Sequence, residues 1–353
     1  MEIMFRTYSF VLFFLILFSC STKEEKTPEI ELTGKKKVYP EIINPDKIRL
    51  RLNHLIVLES PSMDSSTPPI HFIDLPTQRF LYSVGTIGFG PGEISDATSI
   101  EFDESDSIFF IYSSIDKKIS KFSTNKLELA LNQVKQKNDF FKAYSVLRFT
   151  DSTFIGLTVD SPARLVEFNK NGDPLNSFGS LENFSERKDL NNFNLSKINM
   201  GWFSSNSSKS HFAIASIFTN RIEIFSRQNG KFESIYLNPK EHTKFDLIAE
   251  SNGQSVYWDL SSPYFFRDIV LTENAIIALF GGLSENQIQS NSDIAKSVYI
   301  FSLTGKLIAK LNLNTSIRSL AVSEDLTKLY GISTDSEPGI VEFEIPKFGK
   351  KIE

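Results

Sequence analysis

The sequence predicts an all-β fold, a six-bladed β-propeller of four-stranded antiparallel blades, preceded by a secretory leader and a short tether. Three observations predict it. No stretch beyond residue 40 sustains a 3.6-residue apolar period; short alternating or apolar runs recur instead, broken by Ser, Asn, Asp and Gly, as strands and turns require. A hairpin-like unit returns along the chain at intervals that suit four-strand sheets. Phe is abundant, at 32 of 353 residues, and aromatic side chains fit pleated, half-buried surfaces.

The leader comes first in the chain. Arg6 and the free amino terminus give a weakly positive start, and residues 10–18 (FVLFFLILF) are uninterruptedly apolar. That run suits a signal-peptide core and falls short of the roughly 20 residues that span a bilayer. It ends in Leu17-Phe18-Ser19-Cys20, which resembles the lipobox of bacterial lipoproteins: an aliphatic residue, a small one, then cysteine, with bulky Phe18 the departure. The resemblance implies cleavage after residue 19 and an acylated Cys20 as the mature N-terminus. The competing reading is a free cysteine within a cleaved signal or an anchor. Buried acyl chains contribute about 0.8 kcal/mol per CH₂, so two or three hold a protein firmly to a membrane.

Residues 20–40 are dense in charge and read as a tether, with one strand near 30–32. Its opening, Ser21-Thr22-Lys23-Glu24-Glu25, resembles the export signal that sends Bacteroidetes lipoproteins to the cell surface. The expected address is therefore the outer membrane, lipid-anchored and surface-exposed; a periplasm-facing orientation is the alternative.

The repeat organises residues 41–347. One unit is a strand ending apolar-x-apolar, followed by a small acidic turn and then a second strand. It appears as Ile100-x-Phe102-Asp103, Leu147-x-Phe149-Thr150, Ile269-x-Leu271-Thr272 and Leu320-x-Val322-Ser323. Such turn residues bond their own backbone and close tight hairpins. A second unit is a strand ending in an aromatic, at Phe122, Phe168, Phe225, Phe301 and Phe343, spaced 46, 57, 76 and 42 residues apart. Three copies run into glycine turns at Asn171-Gly172, Asn229-Gly230 and Thr304-Gly305; Asn-Gly favours hairpins because both residues accept positive φ. Ile70 to Val84 reads as a first, divergent copy.

These copies give blades near 42–86, 95–131, 141–178, 195–237, 265–312 and 316–345, the period of sheets that bury their faces against neighbours. Seven blades or a two-sheet arrangement compete. Residues 126–140 read equally as an outer strand or a short helix. The sixth copy has three clear strands, so a strand from elsewhere must close it or leave an open edge. Residues 30–32 are the expected closing strand.

Between the first two blades the chain reads Val84-Gly-Thr-Ile-Gly88-Phe-Gly90-Pro91-Gly92-Glu93. This run resembles that of the TolB-like six-bladed propeller lipoproteins of the Bacteroidetes, to which the lipobox, tether and divergent repeats also conform. The resemblance implies a fold and an extracytoplasmic binding or scaffolding role; the family has no common activity from which catalytic residues carry over. Read physically, the glycines and Pro91 make an inter-blade turn in which Glu93 accepts hydrogen bonds; ligand binding is the other reading. The Gly-Lys-Ser/Thr of a phosphate loop is absent from the run.

Charge and composition narrow the function. With 38 Lys+Arg against 43 Asp+Glu, a net charge of −5, no nucleic-acid partner is expected. A single cysteine excludes a disulfide framework and cysteine-rich zinc sites. No His-Glu-x-x-His or Gly-x-Ser-x-Gly occurs, and neither metal, cofactor nor catalytic residue is expected. Asp103, Glu104 and Asp106 are spaced like a cation site but also fit the hairpin turn. His54, His71, His211 and His242 read as structural or solvated. Trp258-Asp259 does not recur at blade spacing, so WD40 repeats are not indicated.

The candidate ligand site is the insertion between blades four and five. It carries Tyr257, Trp258, Tyr264, Phe265 and Phe266, and then Arg267 opens the next inner strand, with Arg318 at the repeat-equivalent position. Aromatic faces beside arginine suit a sugar, a peptide or an anionic ligand. The plainer reading has the aromatics plugging the hub and the arginines paired with acidic loops. The expected function is a binding module for a glycan, peptide or envelope protein. An extracytoplasmic lyase or hydrolase on sugars or peptides is the alternative, and a structural subunit of an envelope complex is a third.

Overall fold

The computed structural model describes residues 27–60, 67–103, 107–124, 128–185, 187–237, 239–251 and 253–347. The leader and Cys20 lie outside the described residues, as do Glu104 and Asp106.

Six blades, each built on four antiparallel strands and the fifth carrying one added strand, stand radially around an axis. Blade one is β3 (Pro45–Arg51), β4 (His54–Glu59), β5 (Ile70–Asp74) and β6 (Arg79–Val84), from the axis outward; β1 (Glu29–Leu32) and β2 (Lys35–Lys37) precede it. Blade two is β7 (Ser99–Phe102), β8 (Ile108–Ser113), β9 (Lys118–Ser123) and β10 (Asn132–Lys135). Blade three is β11 (Ala143–Arg148), β12 (Thr153–Thr158), β13 (Ala163–Asn169) and β14 (Pro174–Ser180). The helix α1 (Asn192–Ile198) leads to blade four: β15 (Gly201–Ser205), β16 (His211–Ser216), β17 (Arg221–Ser226) and β18 (Lys231–Tyr236).

A separate hairpin, β19 (Phe245–Glu250) and β20 (Gly253–Trp258), is inserted before blade five. That blade is β21 (Pro263–Leu271), β22 (Ala275–Ser284), β23 (Ser297–Ser302) and β24 (Leu307–Leu313), with α2 (Glu285–Asn291) between β22 and β23. Blade six is β25 (Ile317–Val322), β26 (Lys328–Ser333) and β27 (Ile340–Glu344), with β2 outermost. Among the described residues no helix is long and apolar enough to cross a membrane.

The apolar alternation explains the packing. Each sheet buries one face against the blade before it and the other against the blade after it. Ile269, Ile276, Ala278 and Phe301 of blade five join Ile222 and Ile224 of blade four, while Ile277, Leu279 and Ile300 join Leu320 and Leu329 of blade six. The aromatic that ends each third strand lies in these seams: Phe122, Phe168, Phe225, Phe301 and Phe343 are all essentially inaccessible. Gly172, Gly230 and Gly305 adopt the positive φ expected of hairpin turns. Residues 126–140 contain both forms anticipated, the outer strand β10 and a 3₁₀ turn at Asn138–Lys142.

The closing strand differs from expectation. Residues 30–32 do form a strand, β1, but it lies parallel to β24 as a fifth strand of blade five, with Ile30 opposite Leu311. Blade six is closed by β2, antiparallel to β27, with Lys36 opposite Val341. The reason lies in Leu32 and Gly34. Leu32 is buried among Leu311 and Leu313, fixing β1 on blade five. The chain then crosses to blade six at Gly34, where a Cβ would stand 2.3 Å from Val341 Cγ1. Three exposed lysines carry no apolar period and so read as tether, yet lysine is well suited to an edge that must not pair further.

In each antiparallel blade the first-to-second and third-to-fourth turns lie on one face of the disc. The second-to-third turns and the connections between blades lie on the other. The long segments, including β19–β20, α1 and α2, all belong to this second, loop-bearing face.

Candidate functional site

Several inner strands carry an extra residue near the end that opens on the loop-bearing face. The pairing register slips at Asp46 in β3, Tyr144 in β11, Arg267 in β21 and Arg318-Ser319 in β25. Such bulges re-aim a side chain out of the ladder and cluster at rims. Arg267 and Arg318 are thus equivalent positions, as the repeat implied, and both stand at the channel's rim.

Beneath the rim, Asp268 is the hub. It is 1 % exposed and accepts from Arg49 through both oxygens, at 2.9 and 3.0 Å. It also accepts from Ser319 Oγ at 2.5 Å and the Leu320 amide at 3.1 Å. One carboxylate thereby joins blades five, one and six. Burial alone would raise its pKa; Arg49 and Lys47 outweigh that and hold it down to about 2. Lys47 Nζ stands 3.9 Å from this carboxylate and 3.7 Å above the ring centre of Trp202, whose indole N–H donates to Phe266 O at 2.9 Å. Burial pulls the Lys47 pKa down, the neighbouring Arg49 and Arg318 charges pull the same way, and Asp268 and Asp46 oppose them.

The far end of the channel is sealed. The turn of blade four at 206–210 reaches across the axis: Ser207 Oγ accepts from Arg51 of blade one at 2.7 Å, and Lys209 pairs with Glu101 of blade two. Glu101 also accepts the Arg148 amide of blade three at 2.6 Å, and Glu273 of blade five accepts the Ser208 amide at 2.8 Å.

The five sequence-predicted ligand residues divide. Trp258, Tyr264 and Arg267 form a ladder through Phe218, which stacks on Trp258 at 3.5 Å and meets Tyr264 edge-on at 5.5 Å. Arg267 lies over the Tyr264 ring at 5.3 Å. Its Nε and Nη2 are buried without hydrogen-bond partners, and burial lowers its pKa. Tyr257 points to the other side of its hairpin, half exposed, and donates to Glu250 at 2.8 Å. Arg318 lies at the start of β25 on blade six, apart from this ladder, with its Nε buried and unpartnered.

Trp258 also packs with Phe184, Ile198 and Val256 in a small core over α1, away from the hub. Beside it opens a cleft of about 430 Å³ lined by Ser185, Arg187, His242, Lys244, Asp246 and Asp259.

Other buried polar groups are committed to structure. His71, fully buried, is 3.3 Å from Glu59 and 2.8 Å from Ser83 Oγ; Glu59 also accepts the Asn44 amide at 3.2 Å, tying the N-terminal loop to blade one. Arg164 pairs with Glu223 at 2.7 Å, and Arg221 links Glu223, Asn199 and Glu182 at the blade three–four seam. Burial opposes ionisation of Glu182, but Tyr236, Lys240 and Arg221 hold its pKa at about 2.

In the glycine run, Glu93 accepts the Gly90 amide at 2.8 Å and fills the space a Cβ on Gly88 would need, as the turn reading requires. Asp103 accepts the Ile108 amide at 3.3 Å across its hairpin. Among the described residues no three His, Cys, Asp or Glu side chains are grouped to hold a metal ion.

Sequence reasoning missed Lys47, Trp202, Phe218 and Asp268. The alternation Lys47-x-Arg49-x-Arg51 was available to find the first: three cations at a spacing of two share one side of a strand.

The fold defines a class: a six-bladed propeller whose channel is crossed by charged turns at one end and by the Asp268 hub toward the other. Residues 23–325 match the TolB-like 6-blade propeller-like family, and the chain belongs to it. Among solved structures it is similar to a member of the DUF4221 family from Bacteroides vulgatus, with a TM-score of 0.59 and 10% identity over 91% of this chain and 100% of that one. It is also similar to a protein from Bacteroides fragilis described as exported, with a TM-score of 0.53 and 12% identity over 90% of this chain and 99% of that one. At such identities the likeness is one of fold. A comparison with curated proteins finds no match.

Proposed function

We propose that this protein is an outer-membrane lipoprotein whose propeller serves as a binding module for a glycan, a peptide or an envelope protein. The observation that carries the reading is the segregation of the disc: one channel end is sealed by charged turns, and the long loops, the Trp258–Phe218–Tyr264–Arg267 ladder and the unpaired arginines gather at the other. The same face exposes Ile43, Phe89, Ile115, Phe141 and Leu260, apolar groups of the kind that interfaces cover.

The anchor fits this arrangement. Because β1 runs parallel to the outermost strand of blade five, the chain reaches it from the turn-bearing, sealed face. With lipid on Cys20, residues 21–27 reach at most about 25 Å. The sealed face then lies toward the bilayer and the loop-bearing face away from it.

Retention of envelope glycans, peptides and proteins on the immobilised chain tests the reading. Trp258→Ala combined with Arg267→Ala is expected to cut retention at least tenfold while the folded circular-dichroism spectrum persists. Undiminished retention by the double variant would remove this face as the binding site.

A further inference from the structure

Beside the cleft at the inserted hairpin, β19 offers an open strand edge. The hairpin is a two-stranded sheet, paired from Phe245 opposite Trp258 to Glu250 opposite Gly253. Just before the ladder, the Asp259 amide donates to Lys244 O at 2.9 Å. Bonded positions alternate along an antiparallel pair, so Asp246, Ile248 and Glu250 turn their backbone groups toward β20. Phe245, Leu247 and Ala249 turn theirs outward, and among the described residues no strand pairs with that edge. The edge is held in place at its root, where the Thr243 amide donates to Phe218 O at 2.8 Å and its hydroxyl to Pro263 O at 2.6 Å. Phe245 and Leu247 sink their side chains into the small core with Trp258 and Ile198. Both sides of the strand reach the cleft, Phe245 from the core side and Lys244 and Asp246 from the outer side. Arg187 and Lys244 balance Asp246 and Asp259 there, so an uncharged polar group suits the cleft better than an ion. Further along the outer side, Ile248 is 47 % exposed.

We infer that β19 takes up an extended peptide segment of a partner protein as the third strand of this hairpin. This rests on the binding-module reading and selects the peptide among its ligands. The outward N–H and C=O groups of Phe245, Leu247 and Ala249 supply main-chain bonds, and side chains at every second position supply the choice. The segment spans about five residues at roughly 3.3 Å each. It carries an uncharged polar residue in the cleft opposite Asp246 and, two positions away, a Val, Ile or Thr against Ile248. An edge already held by Thr243 loses little freedom on binding.

The test presents the full chain, in detergent, to an array of end-capped octapeptides of random sequence. Retained peptides are expected to share an uncharged polar residue two positions from Val, Ile or Thr. N-methylation of one alternate set of their backbone amides should cut retention roughly tenfold, the scale of lost main-chain bonds, and N-methylation of the other set should not. With a retained peptide bound, the Phe245, Leu247 and Ala249 amides should exchange hydrogen more slowly by a similar factor. An array that retains nothing, retention indifferent to both methylated sets, or unchanged exchange at these three amides overturns the site.

Ala249 is exposed, and its amide is not used by the ladder to β20, so Ala249→Pro blocks the edge and spares the hairpin. The variant should lose peptide retention while the Ser255 and Tyr257 amides, opposite Ile248 and Asp246, stay protected; retention unchanged in a protected variant overturns the site. Where that protection is lost, Asp246→Lys decides: retained peptides should then carry an acidic residue in place of the uncharged one, and an unaltered selection overturns the site. An envelope partner lost from the Trp258→Ala, Arg267→Ala chain yet kept by Ala249→Pro sinks the edge and leaves the broader reading standing. Array peptides bound through the edge, with envelope retention undiminished in that double variant, do the reverse.

Discussion

Replacing Asp268 with Asn would leave Arg49 and Lys47 in the hub with no counter-charge. Removing one partner of a buried ion pair costs about 3–5 kcal/mol, so Asp268→Asn is expected to lose stability on that scale in urea unfolding at neutral pH. A loss near zero would show that the ring does not depend on this carboxylate.

The same residue sets a pH dependence. Its folded pKa of about 2 lies below the ordinary value, so the ionised form is favoured by folding. The contribution, about 2–3 kcal/mol at the usual 1.36 kcal/mol per unit, is complete above roughly pH 4 and is lost as pH falls from there through 2. The Asn variant should not show this component of acid unfolding.

At this scale the sequence was legible where residues repeat. The buried aromatic ending each third strand recurs at Phe122, Phe168, Phe225, Phe301 and Phe343, so five instances reinforce one another. Asp268 has no such support: its equivalents are Lys47 in β3 and Ser319 in β25. The hub works because those three differ, and a search for similarity passes over complementary residues.

Among the elements, inner hairpins and glycine turns could be read because each is local, set by alternation and by residues that tolerate positive φ. The closing strand was misplaced because its partner is almost the whole chain away, and β2 has only lysines to declare it. The crossing between β1 and β2 turns on Gly34. There an added side chain would meet Val341 and Phe343 at less than 3 Å, so Gly34→Val should force β2 off blade six. The expected result is faster hydrogen exchange of the 340–344 amides with blade three unaffected; unchanged protection of β27 would show that another route closes the ring. The inner-strand bulges were also invisible in sequence, since an extra residue declares itself only against the strand it faces. They set Arg267 over Tyr264 in the aromatic ladder and Arg318 on the next blade, so the expected site is divided.

For the molecule as a whole, the fold survives at 10–12% identity to its solved neighbours, because a propeller asks only that each sheet be apolar on both faces and turn where it should. Recognition is a different matter, held by single residues on loops whose lengths vary from blade to blade, so fold similarity leaves the ligand open. The proposed anchoring, if on the outer surface, predicts that protease added to intact cells releases a soluble propeller. Complete protection until the outer membrane is breached would place the disc inside.

The way β1 and β2 straddle the last joint has a mechanical consequence. The earliest-made strands wait for the latest-made ones, so the wheel cannot close until nearly all of the chain is present, and folding should be slow for its size. Once closed, a pull on the N-terminal leash is not met by one bond at a time. Four residue pairs of β1 lie along the direction of tension and take the load in shear, ahead of the lysine strand, so the seam that finishes the ring is also its shock absorber.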